Sequence, residues 1–446
     1  MRKRIAVGLI AALVGAAVPV SAQLPGGPGG GVLNGGPVGD IARGVLGGAA
    51  QGQPSAIPDP FGTPLSDPLS ALGTSLRPLE PRALLALREQ RIEALIRANR
   101  DVLDKDERGN AVRRYEIVGI GLTEAQLAKA TAAGFAVRGR ETVAPLGLEI
   151  TTLASARGKP ARKVIEDLRK LVPDAKFTLD PIYEPAGLPL GGMGGALAGI
   201  GAGVGAGGEG VRIGLIDGGV GNHPAFTGAR IEQRGFAGAA KPSGHGTAVA
   251  SLMVGRSGAF HGVAPGATLM VADVYGGSAA NGSAVAIARA MGWLAGNGVR
   301  VVNISLVGPP NPLLAATTKA LIARGISVVA AVGNDGPAAP PQYPASYPGV
   351  VAVTGVDAKG RALIEAGRAA HVDFAAPGAD MAGAVPGGGW ESLRGTSFAA
   401  PLVAARLARL GGIPALAAEA TPGKGRVGRG IVCGGCAIPP KAVGIK

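Results

Sequence analysis

From residue 211 onward the apolar residues fall into short continuous runs, separated by stretches of helical length. Val211–Ile216, Ala267–Val274, Val299–Ser305, Ile326–Val332 and Val350–Thr354 carry few polar breaks, the pattern of strands covered on both faces. His245–Val254, Ser283–Ala295 and Leu313–Ala323 lie between them and read as helices. A last apolar run, Phe398–Leu410, carries Leu402, Val403, Leu407 and Leu410 and has helical length. Buried strands alternating with helices predict an α/β domain of three layers with a mainly parallel central sheet. Ligands bind such sheets beyond the carboxyl ends of the strands, and Asp217, Ser305 and Asn334 fall at or near those ends.

Residues 113–182 are patterned differently. Arg114–Ile120 reads as a strand, and Thr123 caps a helix running to Ala133. Phe135–Val143 and Leu148–Thr152 follow as strands, Ala161–Leu171 as a helix and Lys176–Leu179 as a last strand. The order βαββαβ predicts a small α+β, ferredoxin-like (split βαβ) domain. Before it, Pro81 opens a helix in which Leu84, Leu87, Ile92, Leu95 and Ile96 give a rough apolar face among many charges. Helix and small domain together take residues 80–184, and the α/β domain takes 210–412.

The remaining segments lack periodicity. Residues 23–79, rich in Gly, Pro, Ser and Ala, read as a disordered spacer. Residues 185–209 read as a Gly-rich flexible linker with a root-mean-square span of roughly 25–30 Å. Residues 413–446 read as a basic tail. At the start, Arg2, Lys3 and Arg4 precede an apolar run from Ile5 to Val18, and Val20-Ser21-Ala22 offers small residues before Gln23. This predicts a signal peptide over 1–22, export to the periplasm or medium, and no membrane span in the mature chain.

A net charge of +14 raises nucleic acid as a partner, but aromatics are only 3% and no nucleic-acid module is recognisable. The excess lies partly beyond the last acid, Glu419, in Lys424, Arg426, Arg429, Lys441 and Lys446, and reads as a solvated cationic surface. Cys433 and Cys436 are the only cysteines, too few for a four-ligand zinc site. In an exported chain they form a local disulfide or remain two free thiols.

The chemistry lies in four short motifs. Ser397 follows a small-residue turn and opens the last helix, where free N–H groups favour a developing negative charge. A serine hydroxyl needs an adjacent base. His245, in Ser243-Gly244-His245-Gly246-Thr247, is the candidate, and Asp217 at the end of an apolar strand is the candidate orienting acid. Asn334, ending another strand, offers an amide donor for an oxyanion. His223, His261 and His371 match no metal spacing and read as structural or surface residues.

The order Asp…His…Asn…Ser and the motifs around it resemble a subtilisin-like serine peptidase over residues 210–411. The match is carried by Ile216-Asp217-Gly218-Gly219-Val220, Asn222-His223-Pro224-Ala225-Phe226, Gly244-His245-Gly246-Thr247-Ala248-Val249-Ala250, His261-Gly262-Val263-Ala264-Pro265 and Gly395-Thr396-Ser397-Phe398-Ala399-Ala400-Pro401. The resemblance implies a subtilisin-like three-layer fold and a serine endopeptidase with an Asp217–His245–Ser397 triad. It implies an oxyanion hole of Asn334 and the Ser397 N–H, and a peptide-binding edge at Ser305, Leu306 and Val307. Ser305 to Val307 and Ala331, Val332 and Gly333 would flank the side chain before the scissile bond. It also implies that the small domain acts as a pro-domain whose end, near Tyr183-Glu184-Pro185, occupies the cleft, with autocleavage in or near the linker. The expected partners are protein or peptide substrates and the chain's own N-terminal region, around a monomer. No cofactor is required, structural calcium stays open and no metal ligands are assigned.

The sequence departs from the family at Gly218, Phe398, Leu402, Val307 and Val332, where Thr or Ser, Met, His, Gly and Ala are usual. Gly218 implies a lost hydrogen bond beside the acid, and the added methyls imply reshaped subsites. These departures motivate the alternatives: a catalytically silent subtilase fold serving as a binding or inhibitory module, or an ester or transacylation preference.

Overall fold

A computed structural model describes residues 80–154, 159–186 and 209–445, and the backbone of 188–190. The expected signal peptide, spacer and most of the linker lie outside the described residues. Among the described residues no helix is long and apolar enough to cross a membrane.

Helix α1 (Pro81–Ala98) starts with proline in its first turn. Strands β1 (Ala111–Ile120), β2 (Ala136–Val143), β3 (Leu148–Ala154) and β4 (Lys176–Pro181) pair antiparallel in the order β4–β1–β3–β2, with Leu103–Lys105 added beside the start of β1. Helices α2 (Glu124–Ala132) and α3 (Ala161–Leu171) pack on this sheet through Ala130, Val164, Ile165 and Leu168, against Ile117, Leu153 and Phe177. Thr123 and Gln126 form a reciprocal capping box at the start of α2.

Two short strands follow, β5 (Glu184–Pro185) and β6 (Leu188–Leu190). This corrects the expectation of a structureless linker from 185 onward: its first residues find edge partners elsewhere in the chain, which glycine-rich composition does not reveal.

Seven strands then form one parallel sheet: β7 (Arg212–Asp217), β8 (Arg230–Gly235), β9 (Thr268–Asp273), β10 (Val301–Ile304), β12 (Ser327–Ala331), β13 (Val351–Val356) and β14 (Phe374–Pro377). The two-residue β11 (Leu306–Val307) lies between β10 and β12 in sequence, outside this sheet. The spatial order is β14–β13–β12–β10–β7–β9–β8. Alternate strand residues point to opposite faces. Ile213, Leu215, Leu269 and Val271 meet α4 (Gly244–Val254) and α7 (Thr396–Leu410). Ile216, Met270, Ala272 and Val302 meet α5 (Ala284–Gly296) and α6 (Pro312–Ala323). Ser243, Ser283 and Asn311 cap α4, α5 and α6 through their side-chain oxygens.

The edge strands β8 and β14 escape the apolar-run reading. Arg230-Ile231-Glu232-Gln233-Arg234 is largely exposed, and Phe374-Ala375-Ala376-Pro377 is only four residues long. An antiparallel pair, β15 (Met381–Ala384) and β16 (Trp390–Arg394), precedes α7. The expected basic tail is packed rather than free. After α8 (Ile413–Ala418), Val432 and Ile438 enter the core that α7 builds, and Cys433 and Cys436 are disulfide-bonded.

The small domain docks on the starts of two helices. Val285 N–H at α5 donates to Asp180 Oδ1 (3.0 Å), and Asn311 Nδ2 at α6 donates to Thr178 Oγ1 and the Leu179 carbonyl (both 3.0 Å). A carboxylate there faces a helix N-terminus, yet burial pushes the Asp180 carboxyl up to about 6.

Candidate active site

The sheet carries Asp217 at the carboxyl end of β7, and α4 carries His245 in its first turn. Both are buried, and His245 Nδ1 lies 2.9 and 3.0 Å from the two Asp217 carboxylate oxygens. The carboxylate therefore accepts the Nδ1–H and leaves Nε2 as a bare acceptor. Gly218 N–H also donates to Asp217 Oδ1 (2.7 Å). A Cβ at Gly218 would lie 2.3 Å from Ser243 Oγ, the hydroxyl that caps α4 through Gly246 N–H. Glycine here admits the cap that seats His245, a physical reason for one departure noted in the sequence.

Ser397 occupies the first turn of α7, which Gly395 enters at φ 142°, in the region that favours glycine. Four residues on stands Pro401, inside the helix and without an N–H, so the Ser397 carbonyl loses its helical donor. Ser305 Oγ replaces it at 2.8 Å, itself held by Asn303 Nδ2 at 2.9 Å. Ser397 Oγ and His245 Nε2 are both buried and have no hydrogen-bond partner among the described residues. The Phe398 ring lies 5.3 Å from the imidazole, centroid to centroid.

Asn334 follows the end of β12. Its Oδ1 accepts from Thr396 N–H (3.0 Å), which aims Nδ2 away from α7's backbone and onto the Ala186 carbonyl oxygen. Ser397 N–H donates to that same oxygen (3.3 Å). Ala186 is held on its other side too, its N–H donating to the Ser305 carbonyl (2.9 Å).

The residues before Ala186 lie in an extended strand. β5 pairs antiparallel with β11, Pro185 opposite Leu306 and Glu184 opposite Val307. Tyr183 N–H donates to the Gly282 carbonyl (2.7 Å) on the opposite side. The Tyr183 ring covers Gly308, where a Cβ would lie 2.6 Å from it, and its hydroxyl donates to the Pro309 carbonyl (2.6 Å). Beyond Ala186, β6 pairs antiparallel with β16, Leu188 opposite Arg394 and Leu190 opposite Ser392.

The sequence-predicted residues thus fall in one region, although Leu306, like Val332, packs its side chain in the opposite layer. Val307 and Ala331 share a buried cluster with Ala186, whereas Val332 packs in the opposite layer. Gly333 N–H donates to Thr396 Oγ1 (3.1 Å) and links the two loops. His223 and His371 bond backbone carbonyls. Sequence reasoning missed Thr396, Asp335, Arg88 and Arg91. Asp335 stands beside Asn334 in the sequence, and the three-residue spacing of the arginines on one helix is the only other signal. It also missed Glu391 on β16, whose carboxyl burial pushes up to about 7 while His245 draws it down.

This parallel sheet, with acid, imidazole and serine at its carboxyl ends, has the architecture of a subtilisin-like peptidase. The subtilase family model matches residues 208–420. Subtilisin Savinase of Lederbergia lenta is 35% identical over 202 residues, covering 44% of this chain and 74% of that protein. M-protease of Shouchella clausii is 34% identical over 220 residues, or 48% of this chain and 56% of the relative. The chain thus spans little more than half the length of M-protease. Fervidolysin of Fervidobacterium pennivorans, a keratinolytic enzyme related to subtilisin, superposes with a TM-score of 0.61 at 19% identity, covering 72% of this chain and 60% of that one, a likeness of fold alone. The chain belongs to the subtilase family.

Proposed function

We propose that the protein is an exported serine endopeptidase made as a self-inhibited precursor that cuts its own Ala186–Gly187 bond. The observation that carries this is the Ala186 carbonyl oxygen, which accepts from both Ser397 N–H and the Asn334 amide. In this reading residues 80–186 are the pro-region and residues 210–412 the catalytic unit. Ser397 Oγ attacks the Ala186 carbonyl carbon, and His245 Nε2 takes the hydroxyl proton. Asp217 fixes the imidazole tautomer and balances the imidazolium. The two donors on the Ala186 oxygen stabilise the tetrahedral oxyanion. His245 then gives the proton to the Gly187 nitrogen as the bond breaks, and water releases Ala186 from the acyl-enzyme.

Substrates in trans would lie along β11 and β16 as the chain's own residues do, with a small residue before the scissile bond. Export rests on the Arg2–Val18 pattern, and the working species would be a monomer. Expressing the wild type beside Ser397→Ala tests the reading. A new N-terminus at Gly187, found by mass spectrometry in the wild type alone, is expected. The same full-length mass from both, with the wild type still hydrolysing casein, would overturn it.

A further inference from the structure

Helix α1 lies outside the peptide strand, yet it reaches the cleft. Arg91 Nε lies 3.3 Å from both carboxylate oxygens of Glu184, two residues before Ala186, and its terminal nitrogen lies 3.0 Å from Asp335 Oδ1. One turn earlier, Arg88 Nε lies 3.2 Å from Asp335 Oδ2, and its terminal nitrogen donates to Asn110 Oδ1 (2.9 Å). Leu84 continues the stripe: a Cβ on Gly336 would lie 2.8 Å from its Cδ1. Leu84, Arg88 and Arg91 therefore form one helix face pressed on the loop that carries Asn334. A small cavity bounded by Arg88, Ile92, Asn110, Glu184, Gly308 and Asp335 marks the seam.

The charges explain why the helix is there. Arg91 bridges two carboxylates from different parts of the chain, one on the strand in the cleft and one on the cleft wall. The Asp335 side chain is only 7% exposed, and a buried carboxylate stripped of its cation is strongly disfavoured. Without α1, Glu184 would also enter a cleft walled by an uncompensated like charge.

We propose that Glu184 and Asp335 form a composite anionic site for a guanidinium, and that helix α1, through Arg91 backed by Arg88, is its ligand and locks the residues up to Ala186 in the cleft. The inhibitory importance of that segment rests on the reading that Ala186–Gly187 is the scissile bond. The lock itself makes α1 a second inhibitory element, separate from the peptide strand it secures. Removing α1 would leave the strand held only by its own pairing with β11 and its bonds to the Gly282 and Ser305 carbonyls, and would loosen it in the cleft.

Hydrogen exchange in the full-length Ser397→Ala protein tests the lock without cleavage or activity. The reporters are the amides of Tyr183 and Ala186, bonded to the Gly282 and Ser305 carbonyls. Adding Arg88→Ala and Arg91→Ala is expected to speed their exchange at least tenfold while amides of α3 stay protected. Arg91→Glu should speed it likewise, and Arg91→Glu with Glu184→Arg should return it toward the parent. Unchanged protection of Tyr183 and Ala186 in Arg91→Glu would overturn the lock. The cleavage reading fails separately, by the absence of a Gly187 N-terminus in the active chain.

Discussion

The Ala186 carbonyl oxygen accepts the backbone N–H of Ser397 at 3.3 Å, so the chain presents its own peptide group to the start of α7. The donor is fixed by helix geometry and needs no side-chain ordering. The second donor, Asn334 Nδ2, is aimed by the bond between its own Oδ1 and Thr396 N–H.

Asn334→Ala should therefore lower kcat on a peptide substrate by about 10²–10³-fold, equivalent to about 2.7–4 kcal/mol, with little change in KM. Steady-state kinetics on the active protein checks this. An equal rise in KM with kcat intact would mean that the amide only binds substrate.

Gly218→Ala should be harmful although it adds one methyl. The new Cβ would lie 2.3 Å from Ser243 Oγ and 2.7 Å from Ser243 Cβ. Overpacking of this kind costs about 1–3 kcal/mol and would displace the cap that seats His245. A lowered Tm together with reduced kcat is the expected result.

Ser305→Ala should weaken the site without touching substrate through its side chain. The Ser397 carbonyl, deprived of a helical donor by Pro401, would lose the Ser305 hydroxyl and remain buried and unsatisfied. The cost is about 1–3 kcal/mol. Thermal unfolding of Ser305→Ala alone and with Pro401→Ala checks it, because restoring the helical N–H should recover part of the loss.

Docking of the small domain should weaken as pH rises. Asp180 sits at about 6 when docked, above the ordinary 3.8, so the docked state binds more protons between those values. The favourable contribution is complete below about 3.8, is lost as pH climbs to about 6, and does not change further above it. The window corresponds to an affinity change on the order of tenfold to a hundredfold. Asp180→Asn should flatten the dependence, read as dissociation of the small domain at pH 4.5 and pH 7.5 once the connecting chain has been cut.

The parallel sheet and its two helical layers were legible because burial on both faces leaves continuous apolar runs such as Val211–Ile216. The placement of Asp217, His245, Asn334 and Ser397 in one region was legible because each sits in a short motif next to a strand end or helix start. Edge strands were not: β8 is largely exposed, with Ile231 alone packing on the core, and shows no apolar run. The packing of the C-terminal segment was not legible because Val432 and Ile438 lie in short apolar stretches, Ile431–Cys433 and Cys436–Ile438, set among glycines and prolines, and only their burial identifies them. Arg91 and Asp335 stand 244 positions apart, and no local pattern links a helix arginine to a loop carboxylate at that distance. Ser305 was read as part of the peptide edge, with no role assigned to its hydroxyl. The hydroxyl serves the helix through the Ser397 carbonyl, while the backbone carbonyl meets Ala186, and no local pattern signals the first role.

If the chain cuts itself as proposed, the donors gathered on the Ala186 oxygen would also govern its behaviour after that first cut. A peptide carbonyl resting there is neutral, whereas the chain end left by hydrolysis would carry a full negative charge toward the same two hydrogens. The severed end would then be a tighter occupant than the bond it came from. Each molecule would start life as a single-turnover timer, set by how long it takes to shed its own first product.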